Sequence, residues 1–121
     1  MDDRRSPSGT GEPSFVEIGV PSGARARDFY KELLGWQFEG MGGDNYFAGT
    51  ATAGIGLHCD DPDALMVVYF AVADIEAAVE RVRRLGGTAP EPGAGDQRFG
   101  RFVECRDDQG VRFGLRQPPR G

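Results

Sequence analysis

The chain has 121 residues, with 19 Gly, 8 Pro, two Cys and one His, and a formal net charge of −5 at pH 7. Leu, Ile, Val and Phe make up about a fifth of it, enough for one modest core and a single compact domain. The acidic balance, with no Lys/Arg run longer than two, excludes a nucleic-acid surface, and one His with two Cys excludes a multi-histidine or four-cysteine metal site from one chain.

Residues 1–12 (MDDRRSPSGTGE) are polar, lack an apolar signal core and read as a flexible tail ahead of a domain spanning 13–121. Nowhere do 18 apolar residues run together. No membrane partner is expected; the expected location is the cytoplasm, where Cys59 and Cys105 stay reduced.

From Phe15 the sequence alternates, with Val16, Ile18 and Val20 on one face and Phe15, Glu17 and Gly19 on the other, the period of a strand. Pro21, Ser22 and Gly23 open a helix carrying Ala26, Phe29, Tyr30, Leu33 and Leu34 at helical spacing, with Gly35 placed to end it. Short strands follow in WQFEGM, NYFAG and AGIGLHC, and the run DDPD at 60–63 breaks the chain. The order then restarts. MVVYFAV is a strand, Asp74 caps a helix through Leu85, Gly86 and Gly87 close it, and TAPEP, GRFVECR and VRFGLRQ supply three more strands. Val20 corresponds to Val72 at an offset of 52, and Gly56–Leu57 to Gly114–Leu115 at an offset of 58. Two βαβββ modules, about 13–60 and about 64–118, are therefore expected, each too small to cover its own sheet face.

This doubled unit, with FY on the first helix followed by LGW, resembles the vicinal oxygen chelate superfamily of glyoxalase I, extradiol dioxygenases, fosfomycin-resistance enzymes and bleomycin-resistance proteins. The residues carrying the resemblance are VEIGVPSGARARDFYKELLGWQF at 16–38, YFAVADIEAAVERVRRLGG at 69–87 and CRDDQGVRFGLRQ at 105–117. The resemblance implies an α+β fold whose curled mixed sheets enclose a shared groove, with helices outside. It also implies four metal-ligand places, on the first and last strand of each module, which fall here on Phe15, Gly56, Val67 and Gly114. None offers a nitrogen or oxygen side-chain donor, so the resemblance points to the metal-free branch, with no metal and no cofactor.

Strand alternation defines the same surface independently: Phe15, Glu17, Gly19, Gly54, Gly56, His58, Val67, Tyr69, Ala71, Arg112, Gly114 and Arg116 lie opposite the helix-facing apolar residues. Glycine inside a strand marks close approach by another group, so these positions are expected to form a glycine floor with aromatic walls for an organic ligand. Glu17 and His58 are the candidate acid–base groups, although either also fits a structural role beside water. Tyr69 suits a pocket wall, and Arg112 and Arg116 could hold a carboxylate or phosphate or be simply solvated. The function expected is metal-independent binding of a small molecule, an antibiotic or aromatic metabolite, by a homodimer formed through open sheet edges. The alternative is a glyoxalase-like lyase or isomerase with a relocated or dimer-completed metal site.

Overall fold

The computed structural model describes residues 10–119. Its elements are β1 (Pro13–Gly19), α1 (Gly23–Leu34), β2 (Phe38–Gly40), β3 (Tyr46–Gly49), β4 (Gly54–His58), β5 (Met66–Ala71), α2 (Ile75–Arg84), β6 (Arg101–Arg106) and β7 (Arg112–Gln117). This is the expected α+β class. Two compact units are present, one of Ser14–Val68 and one joining the residues up to Pro13 to those from Tyr69 onward. Among the described residues no helix is long and apolar enough to cross a membrane.

In the first unit the strands lie in the order β2-β3-β4-β1. β1 runs parallel to β4, placing Glu17 beside Gly56 and Gly19 beside His58, and β3 runs antiparallel to β4 with Phe47 opposite Gly56. The helix signals act as their chemistry dictates. The Ser22 hydroxyl accepts from the Arg25 N–H at 3.3 Å, the Gly23 N–H donates to Asp44 Oδ2 at 2.6 Å, and Gly35 ends α1 at φ 75. Ile18, Ala26, Ala48, Ile55 and Leu57 form the buried core, with Val16, Val20, Tyr30 and Trp36 against it. The face of β1 bearing Val16 and Ile18, continued by Val20 just after the strand, thus packs with Ala26 of α1.

In the second unit the order is β5-β7-β6, with β5 parallel to β7 and β6 antiparallel to β7. Asp74 Oδ1 accepts from the Ala77 N–H at 3.2 Å, and Gln117 Oε1 accepts from Ile75 N–H at 3.0 Å, so side chains satisfy two first-turn donors of α2. Ile75, Val79, Val103, Cys105 and Leu115 form its core.

Two expectations change. TAPEP forms no strand: Thr88 makes one isolated bridge to Arg106, after which Pro90 and Pro92 lack the N–H a ladder needs, and Arg83 caps the Ala89 carbonyl at 2.8 Å. Gly11 and Glu12, expected in the flexible tail, are also paired into the fold. Residues 1–9 lie outside the described residues, but Gly11 N–H donates to the Ala71 carbonyl at 2.8 Å and Ala71 N–H to the Glu12 carbonyl at 2.9 Å. Backbone pairing needs no apolar side chain, so polar composition concealed it.

Candidate functional site

On the face of the first unit opposite α1, β1 presents Phe15 and Glu17, β4 presents Gly54, Gly56 and His58, and β3 adds Phe47. The two phenyl rings stack, with centroids 6.1 Å apart and planes inclined by 21°. The glycines accommodate this arrangement. A methyl group at Gly54 would stand 2.9 Å from both the Phe15 and Phe47 rings; one at Gly56 would stand 2.8 Å from Glu17 Oε2 and 3.0 Å from Phe15. Phe15 is only 7% exposed. The space above these glycines is therefore filled by the chain's own rings, which corrects the expectation of an open glycine floor there. What this face still offers to solvent is Phe47, Glu17 and the exposed His58.

Glu17 is partly buried, and no hydrogen-bond donor of the described residues reaches its carboxylate. Burial pushes its pKa above the ordinary carboxylate value; the His58 imidazole pulls it back and the Asp61 carboxylate pushes it further up. Asp61 lies against Gly19, where a side chain would collide with its carboxylate, and Asp61 Oδ1 accepts from the Asp63 N–H at 3.0 Å. Phe15, Glu17, Gly56 and His58 are thus brought together, with Phe47 and Asp61 as members the sequence reading missed. Phe47 was available from the alternation of Tyr46, Phe47 and Ala48. Asp61 sits in a loop, where periodicity carries no signal. Val67, also in this unit, is buried.

In the second unit Tyr69 lies over Gly114, its partner across β5 and β7. A methyl group at Gly114 would fall on the ring itself, so this glycine too exists to receive an aromatic of the same chain. Tyr69 is 9% exposed and meets Phe102 edge-on at 5.3 Å. Arg112 Nε pairs with Glu104 Oε2 at 3.2 Å, and Arg116 Nε donates to the Phe99 carbonyl at 2.9 Å with its guanidinium 5.7 Å from the Phe102 ring centroid. Both arginines therefore have partners within the protein. Phe102 and Glu104 escaped the sequence reading although period-two alternation along β6 exposes them.

The two cysteines are free thiols among the described residues. Burial raises both, and Asp60 raises Cys59 further, so neither favours the nucleophilic thiolate. For a divalent metal, the side chains at Phe15, Gly56, Val67 and Gly114 supply hydrogen and hydrocarbon only, and no group of three or more His, Cys, Asp or Glu among the described residues is arranged to hold an ion. These residues do not fit a metal centre.

The family model described as Glyoxalase/Bleomycin resistance protein/Dioxygenase superfamily matches residues 13–115. Solved structures with the same fold include a hypothetical protein from Bacillus halodurans C-125, with a TM-score of 0.73 and 17% identity over 92% of this chain and 96% of that one. Methylmalonyl-CoA epimerase from Mycobacterium tuberculosis has a TM-score of 0.70 and 18% identity, covering 96% and 93%. A Streptomyces coelicolor methylmalonyl-CoA epimerase variant in complex with 2-nitronate-propionyl-CoA has a TM-score of 0.67 and 17% identity, covering 90% and 98%. No curated protein matches the chain in sequence.

Proposed function

Starting from the chain's membership of the Glyoxalase/Bleomycin resistance protein/Dioxygenase superfamily, we propose that it is a metal-independent binding protein for a small organic molecule with an apolar or aromatic body and a cationic head. The observation that carries this reading is the Glu17 carboxylate, partly buried, without a hydrogen-bond donor among the described residues and next to the Phe15–Phe47 stack. Such a carboxylate is held at an energetic disadvantage that a ligand N–H⁺ removes, and a hydrogen bond to a charged group contributes about 1.5–3 kcal/mol. The Phe47 ring supplies apolar surface beside it, and the net charge of −5 mildly favours approach of a cation. Stoichiometric binding needs neither a metal nor a nucleophile, consistent with the donor-free residues at the family's metal positions.

Calorimetric titration with naphthylmethylamine and with its neutral counterpart naphthylmethanol tests this. The amine is expected to bind and the alcohol to bind at least tenfold more weakly, with the difference lost in Glu17→Gln. Equal binding of both compounds, or none, overturns it.

The Glu17–His58 interaction favours a second reading, a lyase or isomerase in which Glu17 accepts a proton from substrate and His58 tunes its charge. Two of the similar solved structures are epimerases by name. Chemical conversion of a bound compound that disappears in Glu17→Gln, followed by mass spectrometry, would select this reading over simple binding.

A further inference from the structure

A hollow of about 430 Å³ lies beside the first two turns of α1, within the first unit and on the side of its sheet away from Glu17. That volume falls in the range of small-molecule pockets. Val20 and Ala26, which also pack in the core of the unit, give the hollow an apolar floor. Phe29 and Tyr30 add two rings set edge-on, with centroids 5.2 Å apart and planes at 90°. Tyr30 is backed by Trp36, stacked at 5.4 Å, whereas Phe29 is 60% exposed. Counted from the capping residues Ser22 and Asp74, α2 carries Ala77 and Arg81 at the places of Arg25 and Phe29. The fold therefore demands neither a cation nor an exposed ring at these places.

The side-chain polar groups of the hollow are the Ser22 hydroxyl, the Tyr30 phenol and the Arg25 guanidinium, and no carboxylate of the described residues lines it. All three groups can donate a hydrogen bond. The Arg25 guanidinium has no ion-pair partner among the described residues, whereas Arg27 Nε pairs with Asp28 Oδ1 at 3.1 Å. Arg25 and Phe29 are four residues apart, as are Ala26 and Tyr30, so each pair is adjacent along α1 and a group held by Arg25 has the two rings beside it. We propose that this hollow binds an organic anion with a planar aromatic body and a carboxylate. The carboxylate pairs with the Arg25 guanidinium through two parallel N–H···O bonds, and the aromatic body enters the corner between Phe29 and Tyr30 over Val20 and Ala26. Its charge preference is the opposite of that proposed for Glu17, so the two readings stand or fall separately.

Heteronuclear NMR titration of the full chain with 3-phenylpropionate and with its neutral counterpart 3-phenylpropanol tests the assignment. The carboxylate is expected to shift the amides of Ser22, Arg25, Phe29 and Tyr30 saturably, with a Kd between about 0.1 and 5 mM, and the alcohol to bind at least tenfold more weakly. Arg25→Gln is expected to bring the carboxylate down to the level of the alcohol. Phe29→Ala is expected to weaken both compounds by a similar factor, because it removes a wall and not the charge. The spectrum of each variant checks its fold. No saturable shift at these amides up to about 20 mM, equal binding of acid and alcohol, or an undiminished affinity for the acid in Arg25→Gln would each overturn the proposal. So would binding of 3-phenylpropylamine at the same amides as tightly as the acid.

Discussion

Gly114→Ala tests whether the strand glycines serve the protein's own aromatic rings. Alanine in a strand is favoured over glycine by roughly 0.5–1 kcal/mol from backbone entropy alone, so on propensity the substitution should stabilise. At Gly114, however, the added methyl would overlap Tyr69, including Cγ where the ring joins its stem, so a small rotation cannot clear it. Overpacking of this kind costs roughly 1–3 kcal/mol, and overlap at the ring's root puts it at the upper end. The net expected loss is about 2 kcal/mol, a fall in Tm of about 8 °C for a chain of this size. The decisive comparison is the same substitution in Tyr69→Ala, followed by urea unfolding. With the ring gone the overlap is gone, and Gly114→Ala should be neutral or stabilise by up to about 1 kcal/mol, a coupling of about 3 kcal/mol across the cycle. An equal cost in both backgrounds, to within about 0.5 kcal/mol, would refute the pairing of ring and glycine.

Glu17→Gln carries a definite sign with pH. The folded-state pKa of Glu17 is raised above 4.5, so the native state holds this proton more tightly than the unfolded chain and loses stability as pH rises through the folded value. The variant should therefore have a higher Tm than the wild type at about pH 7.5, and the advantage should fade as pH falls below about 4, where the group becomes neutral in both states; a lower Tm for the variant at pH 7.5 contradicts the burial argument. Asp74→Ala removes the acceptor of the Ala77 N–H and should cost about 1 kcal/mol, a fall in Tm of about 4 °C, whereas Asp74→Ser should retain most of it; differential scanning calorimetry distinguishes the two.

Both helices and all seven strands of the described residues were legible because their signals are local. Ser22, Gly35 and Asp74 mark helix ends by their own hydrogen-bonding and dihedral preferences, and period two assigned Val16, Ile18 and Val20 to the core face. TAPEP misled because its position in the repeat suggested a strand while its two prolines forbid a ladder. At the site, alternation placed Phe15, Glu17, Gly56 and His58 on one face but was silent on what covers the glycines. That depends on ring rotamers and on cross-strand neighbours such as Phe47 and Phe102, three-dimensional facts a one-dimensional pattern does not contain. The arginines illustrate the same limit: Glu104 and the Phe99 carbonyl, which engage Arg112 and Arg116, lie on other segments of the chain.

The proposed binding at Glu17 without a metal is tested most directly by thermal shift of chelator-treated protein with naphthylmethylamine, in the presence and absence of added nickel, zinc or cobalt. The same rise in Tm is expected with and without metal, and no rise in Glu17→Gln. A rise that appears only when metal is restored, or that persists undiminished in Glu17→Gln, would contradict it.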